Sequence, residues 1–294
     1  MIPSSTKALA ALLIPLAVAA CSREGQVQKG VATPAFSAAK ERVPLGSPLE
    51  VTYKFVVAGD APAFDQDYRV LVHFMDADEE MMWTDDHAPP TPTSQWKPGQ
   101  TYEYSRTVFI PIYPYVGRTT VRMGLYSLKD QSRVPLEGTD AGQRSYRVAT
   151  LELVPQSENI FLIYKEGWHR AETAAENPAT EWQWTQRDAV ISFRNPKRDA
   201  LLYLHLDGRP ELVGGTQQVS VLVNGQPAGT VTLADRDEHI EKIPLTAAQL
   251  GTEDLVELRL QIDKTFVPSA VPGSTSGDSR ELGVRVFNAF VEAR

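Results

Sequence analysis

The chain has 294 residues, with 29 basic against 37 acidic side chains for a formal net charge of −8, and 42% of it is hydrophobic. The acidic surplus repels phosphate backbones, which excludes nucleic acid as a partner. A single cysteine excludes an intrachain disulfide, so each domain must rest on its own apolar core, and a prior of roughly 150 residues per domain gives about two.

An unbroken small and apolar run extends from Ala8 to Ala20, with Lys7 ahead of it and Cys21 at its end. It is shorter than the about 20 residues of a membrane-spanning helix and reads as the apolar region of a secretion signal. Val18-Ala19-Ala20-Cys21 resembles the lipobox of bacterial lipoproteins. That resemblance implies a signal peptide over residues 1–20, cleavage before Cys21 and a diacylglycerol on its sulfur. The membrane is then a partner through the lipid alone. Ser22 stands where inner-membrane lipoproteins usually carry Asp, which by the same resemblance favours the outer membrane or periplasmic face of a bacterial cell envelope. From Ser22 to about Pro34 the residues are small, polar or charged, and residues 21–40 read as a flexible tether.

From Leu45 the period becomes two. In Tyr68–Asp76, Val70, Val72 and Phe74 share one face and Arg69, Leu71, His73 and Met75 the other, as in a strand packed on one side. Leu49–Val57, Thr101–Ile110, Thr119–Ser127 and Tyr146–Val154 read alike, separated by turn clusters such as Lys97-Pro98-Gly99. No stretch here sustains a helical period.

A polar break at Pro155–Glu158 leads to a second β-rich run. Leu202, Leu204 and Leu206 form one stripe, Val219, Val221 and Val223 another, and Val256, Leu258, Leu260 and Ile262 a third; Asn224-Gly225 is a hairpin dipeptide. Thr246–Leu250 before Gly251 reads as one capped helical turn. The expected fold is all-β: two antiparallel β-sandwiches, Ig-like over 41–155 and jelly-roll-like over 156–294.

Two sets of motifs carry a further resemblance. Trp96-Lys97-Pro98-Gly99-Gln100, Pro111, Gly124-Leu125-Tyr126 and Arg133 are similar to β-sandwich modules of bacterial membrane glycosyltransferases of the dolichyl-phosphate-mannose mannosyltransferase type. Gly167-Trp168, Glu172, Trp182-Gln183-Trp184-Thr185, Val223-Asn224-Gly225 and Asp278-Ser279-Arg280-Glu281-Leu282-Gly283 resemble the extracytoplasmic β-domain of envelope glycosyltransferases and phosphoglycerol transferases. The multi-span catalytic part of those enzymes has no counterpart here, so the resemblance implies a compartment near glycans and no transferase activity.

Chemistry-bearing motifs are sparse. There is no HExxH, no CxxC and no phosphate-cradling glycine loop; Gly273-Ser274-Thr275-Ser276-Gly277 reads as a linker. The five histidines are scattered without metal spacing. No cofactor is expected, and calcium is the one ion for which the acidic run has the right oxygens, through Asp76, Asp78, Asp85 and Asp86; the alternative is a solvated hairpin tip.

Trp182 and Trp184 lie two apart, so in a strand both rings leave one face, with Trp168 just upstream. Flat aromatics with a polar edge suit sugars. With Glu172, Asp278 and Arg280 they form the candidate glycan site, against the reading that the rings fill the core and that Asp278 and Arg280 brace a turn. The favoured reading is a lipid-anchored, non-catalytic envelope protein that binds a glycan or an envelope protein. The alternatives are an enzyme acting on envelope polysaccharide through paired carboxylates and a purely structural or protein-binding lipoprotein.

Overall fold

A computed structural model describes residues 29–175 and 180–294. The leader, Cys21 and the beginning of the tether lie outside these residues. The described chain is nearly all β, with one short helical turn and a few 3-10 turns.

The first nine strands are β1 (Ala32–Ala38), β2 (Arg42–Pro44), β3 (Pro48–Val57), β4 (Arg69–Met75), β5 (Met81–Thr84), β6 (Thr101–Phe109), β7 (Gly117–Tyr126), β8 (Thr139–Asp140) and β9 (Tyr146–Val154). They form two sheets, β1-β3-β6 and β2-β9-β7-β4-β5, with β8 added beside β9. Every pairing is antiparallel except β2 with β9, which is parallel. The first strand pairs in one sheet and its continuation in the other, an Ig-like arrangement. Between the sheets lie Tyr53, Phe55, Phe74, Met123 and Leu125, all fully buried.

Two expectations are corrected here. The tether read over 21–40 runs into a strand, because Ala32–Ala38 pairs with β3 along its whole length and buries Ala32 and Phe36. Pro34 is tolerated there because β1 is an edge strand and needs no ladder donor on its open side. In β4, Val70, Val72 and Phe74 face the core as expected, but Leu71 and Met75 are buried as well. A stretch near Arg144 covers that second face: a Cβ on Gly124 would come within 2.9 Å of the Arg144 carbonyl oxygen and 3.7 Å of the Leu71 Cβ. Gly124 is what lets that backbone lie against the sheet.

The remaining strands are β10 (Leu162–Tyr164), β11 (Glu172–Thr173), β12 (Glu181–Trp184), β13 (Asp188–Arg194), β14 (Ala200–Asp207), β15 (Gln217–Val223), β16 (Gln226–Leu233), β17 (His239–Leu245), β18 (Leu255–Ile262) and β19 (Arg285–Ala293). They form two antiparallel five-stranded sheets, β10-β13-β18-β15-β16 and β11-β12-β19-β14-β17. The three leucine and valine stripes interdigitate as a second core, each member at most 2% exposed. Asn224 and Gly225 both take positive φ, as a type I′ hairpin requires. Thr246 caps the helical turn Ala247–Leu250 in a reciprocal box with Gln249, and Gly251 ends it.

The two cores fall on either side of Pro155–Glu158. Between them, Asn159 donates to the Leu45 carbonyl at 2.8 Å, Phe109 stacks on His205 at 5.9 Å, and Lys40–Glu292 and Lys242–Glu50 form ion pairs. No helix among the described residues is long and apolar enough to cross a membrane.

Candidate functional site

Sheet β11-β12-β19-β14-β17 has one face in the second core. The alternation that sends Leu202, Leu204 and Leu206 inward sends Tyr203, His205 and Asp207 outward. Arg285 lies in register with both Asp207 and Trp184, so these three share the outer face. Trp182 joins them two residues along β12, with Glu172 as its partner in β11.

At the centre is a buried carboxylate between two arginines. Asp207 is fully buried; Arg285 Nε donates to it at 2.9 Å, with a second bond from Nη2, and Arg209 Nη1 lies 3.1 Å away. A charge in so dry a place persists only when paired and hydrogen-bonded. Both guanidinium groups are roofed by aromatics. Arg285 lies over Trp182 at 4.6 Å and over Phe287 at 5.0 Å, and Arg209 over Trp184 at 5.5 Å. Trp184 is only 8% exposed and meets Phe266 edge-on. Trp182 keeps intermediate exposure, and its buried indole N–H has no acceptor among the described residues.

Beside Trp182 the chain adds an ion triad. Arg280 Nη2 lies 2.8 Å from Glu172 and 2.6 Å from Asp278, whose Oδ1 also accepts the Arg280 backbone N–H at 3.0 Å. The Arg280 side-chain and backbone hydrogen bonds hold the Asp278 carboxyl down at about 2. Glu172, Trp182, Trp184, Asp278 and Arg280, chosen from distant parts of the sequence, thus lie along one side of one sheet and its flank.

Trp168 is placed differently. It packs against the second core, donates from its indole N–H to the Val190 carbonyl at 2.9 Å, and meets Tyr164 edge-on. The turn before it admits only glycine: Gly167 has φ +83°, and a Cβ there would lie 1.8 Å from the Asp188 carbonyl oxygen.

Of the four acidic residues expected to suit calcium, the carboxylates of Asp76, Asp85 and Asp86 have separate tasks, and Asp78 contributes a backbone N–H. Asp76 accepts the Asp78 and Glu80 N–H groups at 2.9 Å, shaping a hairpin tip. Asp85 accepts from the Tyr53 hydroxyl at 2.7 Å and pairs with Arg106, and Asp86 accepts the Val72 N–H at 2.8 Å. No group of three His, Cys, Asp or Glu able to hold a metal ion occurs among the described residues. Near Asp85, His87 is buried, with Nδ1 against the Asp85 carbonyl and Nε2 against the Tyr104 hydroxyl, both at 2.6 Å. Burial pushes the His87 imidazole down and the Tyr53 and Tyr104 hydroxyls up, so all three are neutral near pH 7.

Asp207, Arg209, Arg285 and Phe287 were not legible as a site. Asp207 and Arg285 are 78 positions apart, and each alone reads as an outward polar residue at a strand end. The usable signal was the strand period, which places Arg285 on the face opposite Val284 and Val286.

No family model matches the chain, and no curated protein matches it. Among solved structures it is similar to a carbohydrate-binding module, CBM36, in complex with calcium and xylotriose, at 12% identity over 45% of this chain and 98% of that one, with a TM-score of 0.26. It is also similar to the tandem CBM22-1-CBM22-2 domain of Paenibacillus barcinonensis Xyn10C, at 10% identity over 88% and 82% of the two chains, with a TM-score of 0.29. A third likeness is to exo-β-1,3-galactanase from Phanerochaete chrysosporium with galactose, at 10% identity and a TM-score of 0.31. The match covers 89% of this chain and 57% of the galactanase, little more than half its length.

Proposed function

We propose that this is a lipid-anchored, non-catalytic protein of the bacterial cell envelope that binds a glycan on the Trp182 face of its second sandwich. The observation that carries the reading is the setting of Trp182. A partly buried indole held by Arg285 stands in register with Glu172, which Arg280 and Asp278 fix in place. A sugar ring offers apolar C–H faces to an indole and hydroxyls to ionised groups. Because those groups are already ordered by one another, a ligand loses little to their immobilisation. The same pairing argues against acid catalysis here. A general acid needs a carboxyl raised toward neutral pH, and Arg280 holds Asp278 in the opposite direction. Anchoring rests on Lys7, the Ala8–Ala20 run and Cys21.

The test is affinity electrophoresis of the full chain in gels cast with envelope polysaccharides. Trp182→Ala is expected to lose retention while its melting temperature stays within a few degrees of the parent. Retention that survives this change, or a fold that collapses with it, overturns the reading of this face. Intact mass of the membrane-extracted protein reads the anchor separately: a diacylglycerol adduct on Cys21 is expected, and an unmodified residue 21 refutes it.

A further inference from the structure

On the other sandwich, the geometry points to a second binding site: an oxyanion pocket on the outer face of sheet β2-β9-β7-β4-β5 that takes an acidic saccharide unit and is plugged here by Glu79. The alternation that buries Val121 and Met123 turns Arg118, Thr120 and Arg122 outward. Across the ladder, Thr120 faces Thr150 and Arg122 faces Arg147. Two arginines directly opposite each other repel, so an anion between them is stabilising.

Glu79 supplies one from outside the sheet. It stands at the β4–β5 hairpin tip with φ +65°, a left-handed conformation uncommon for a residue with a side chain. Asp76 builds that tip by accepting the Asp78 and Glu80 N–H groups. The tip delivers a single oxygen, Glu79 Oε2, to both Arg122 and Arg147, the latter at 3.2 Å.

The pairing is incomplete. Arg122 is 12% exposed, and its buried Nε has no acceptor among the described residues. Two guanidinium groups carry ten N–H donors between them, and one carboxylate oxygen leaves most of them unused. Beside this plug opens a cavity of about 580 Å³, lined by Arg118, Arg147, Thr120, Thr150, Glu79 and Asp76. Arg122 stands at its edge; of the carboxylates nearby, Asp76 is occupied in the tip and Glu152 stands in register with Arg118 on the same face. A planar or tetrahedral oxyanion matches the guanidinium forks bidentately, and the threonine hydroxyls suit the sugar or polyol that carries it. The ligand class is therefore an oxyanion-bearing saccharide or polyol, in which the ligand's carboxylate or phosphate replaces that of Glu79.

Calorimetry on the full chain tests this with methyl glucuronide, glycerol phosphate and neutral methyl glucoside. Either anion is expected to bind, the better one identifying a uronate or a phosphate ligand, and the neutral glycoside is not. Glu79→Gln removes the competitor and should tighten anion binding by about tenfold, a shift of the size seen when one charge-assisted contact changes. Arg118→Gln, on the exposed rim, should weaken binding without moving the melting temperature, and it decides the matter if the Glu79 variant does not fold. Binding should also weaken with salt. The proposal is overturned if no anion binds by about 10 mM, if methyl glucoside binds equally, or if both substitutions leave affinity unchanged. Trp182→Ala leaves this binding intact, so failure here and failure of the other face are separate results.

Discussion

Each sandwich sets one carboxylate against two arginines, yet the two arrangements differ in where the carboxylate comes from. Asp207 belongs to a strand of its own sheet, is 0% exposed and is roofed through its arginines by Trp182 and Trp184. Glu79 reaches its arginines from a hairpin tip and is 43% exposed. Removing the first leaves two cations stranded beneath aromatics. Water or a solute can take the place of the second. The contrast separates an ion cluster that is part of a fold from one whose anion is exchangeable.

The largest expected effect follows from the buried member. Asp207→Asn should destabilise the second sandwich by about 3–5 kcal/mol, the cost of breaking a buried pair and leaving its partners uncompensated, read as a fall in the urea midpoint. A loss near zero would erase the distinction.

Acid should act on the first sandwich through its histidines. Burial lowers the imidazoles of His73 and His87, the former against the opposing pull of Asp86. Their contribution to stability is intact above the unfolded value of about 6.5. As pH falls below it, the unfolded chain takes up protons that the native state refuses, at up to about 1.4 kcal/mol per pH unit for each group. Denaturation midpoints between pH 7.5 and 5.5 should fall accordingly. A flat profile would show that neither histidine is held neutral.

At the small end, Glu79→Gln should cost less than Asp207→Asn, because Glu79 is 43% exposed and water can take its place beside Arg122; a loss matching that of Asp207 would make the tip structural. Parting the sandwiches should matter as little. The contacts Asn159–Leu45, Phe109–His205, Lys40–Glu292 and Lys242–Glu50 join the two units, but their apolar cores share no residue, so we propose that residues 29–155 and 156–294, expressed separately, each unfold cooperatively. If neither does, the two cores are one unit.

The parts legible in the sequence are those with a period. The stripes of β4, β14, β15 and β18 name their inward faces directly, and the same rule put Trp182 and Trp184 on one side of β12. Strand β1 was hidden because an edge position accommodates Pro34 and needs only small residues and Phe36 to fill its inward side. The polar clusters were hidden for another reason. Asp207 finds Arg285 only through the register of β14 with β19, and Glu79 finds Arg122 and Arg147 only because its backbone turns left-handed. Neither pairing leaves a trace in local composition.

The parallel pairing of β2 with β9 has a mechanical consequence. After β1, the chain enters the second sheet of this sandwich at the N-terminal end of β2 and leaves it at the C-terminal end of β9, and the two strands run in the same direction. A pull that reaches β2 through β1 and β9 from the second sandwich therefore drags these two strands past each other lengthwise. The bonds that join them, including Glu152 N–H to the Glu41 carbonyl and Leu45 N–H to the Val154 carbonyl, then bear the load together, where a peeling geometry would break them one by one. For a chain anchored at one end and bound to a polymer at the other, as proposed above, tension runs in the direction this ladder resists best.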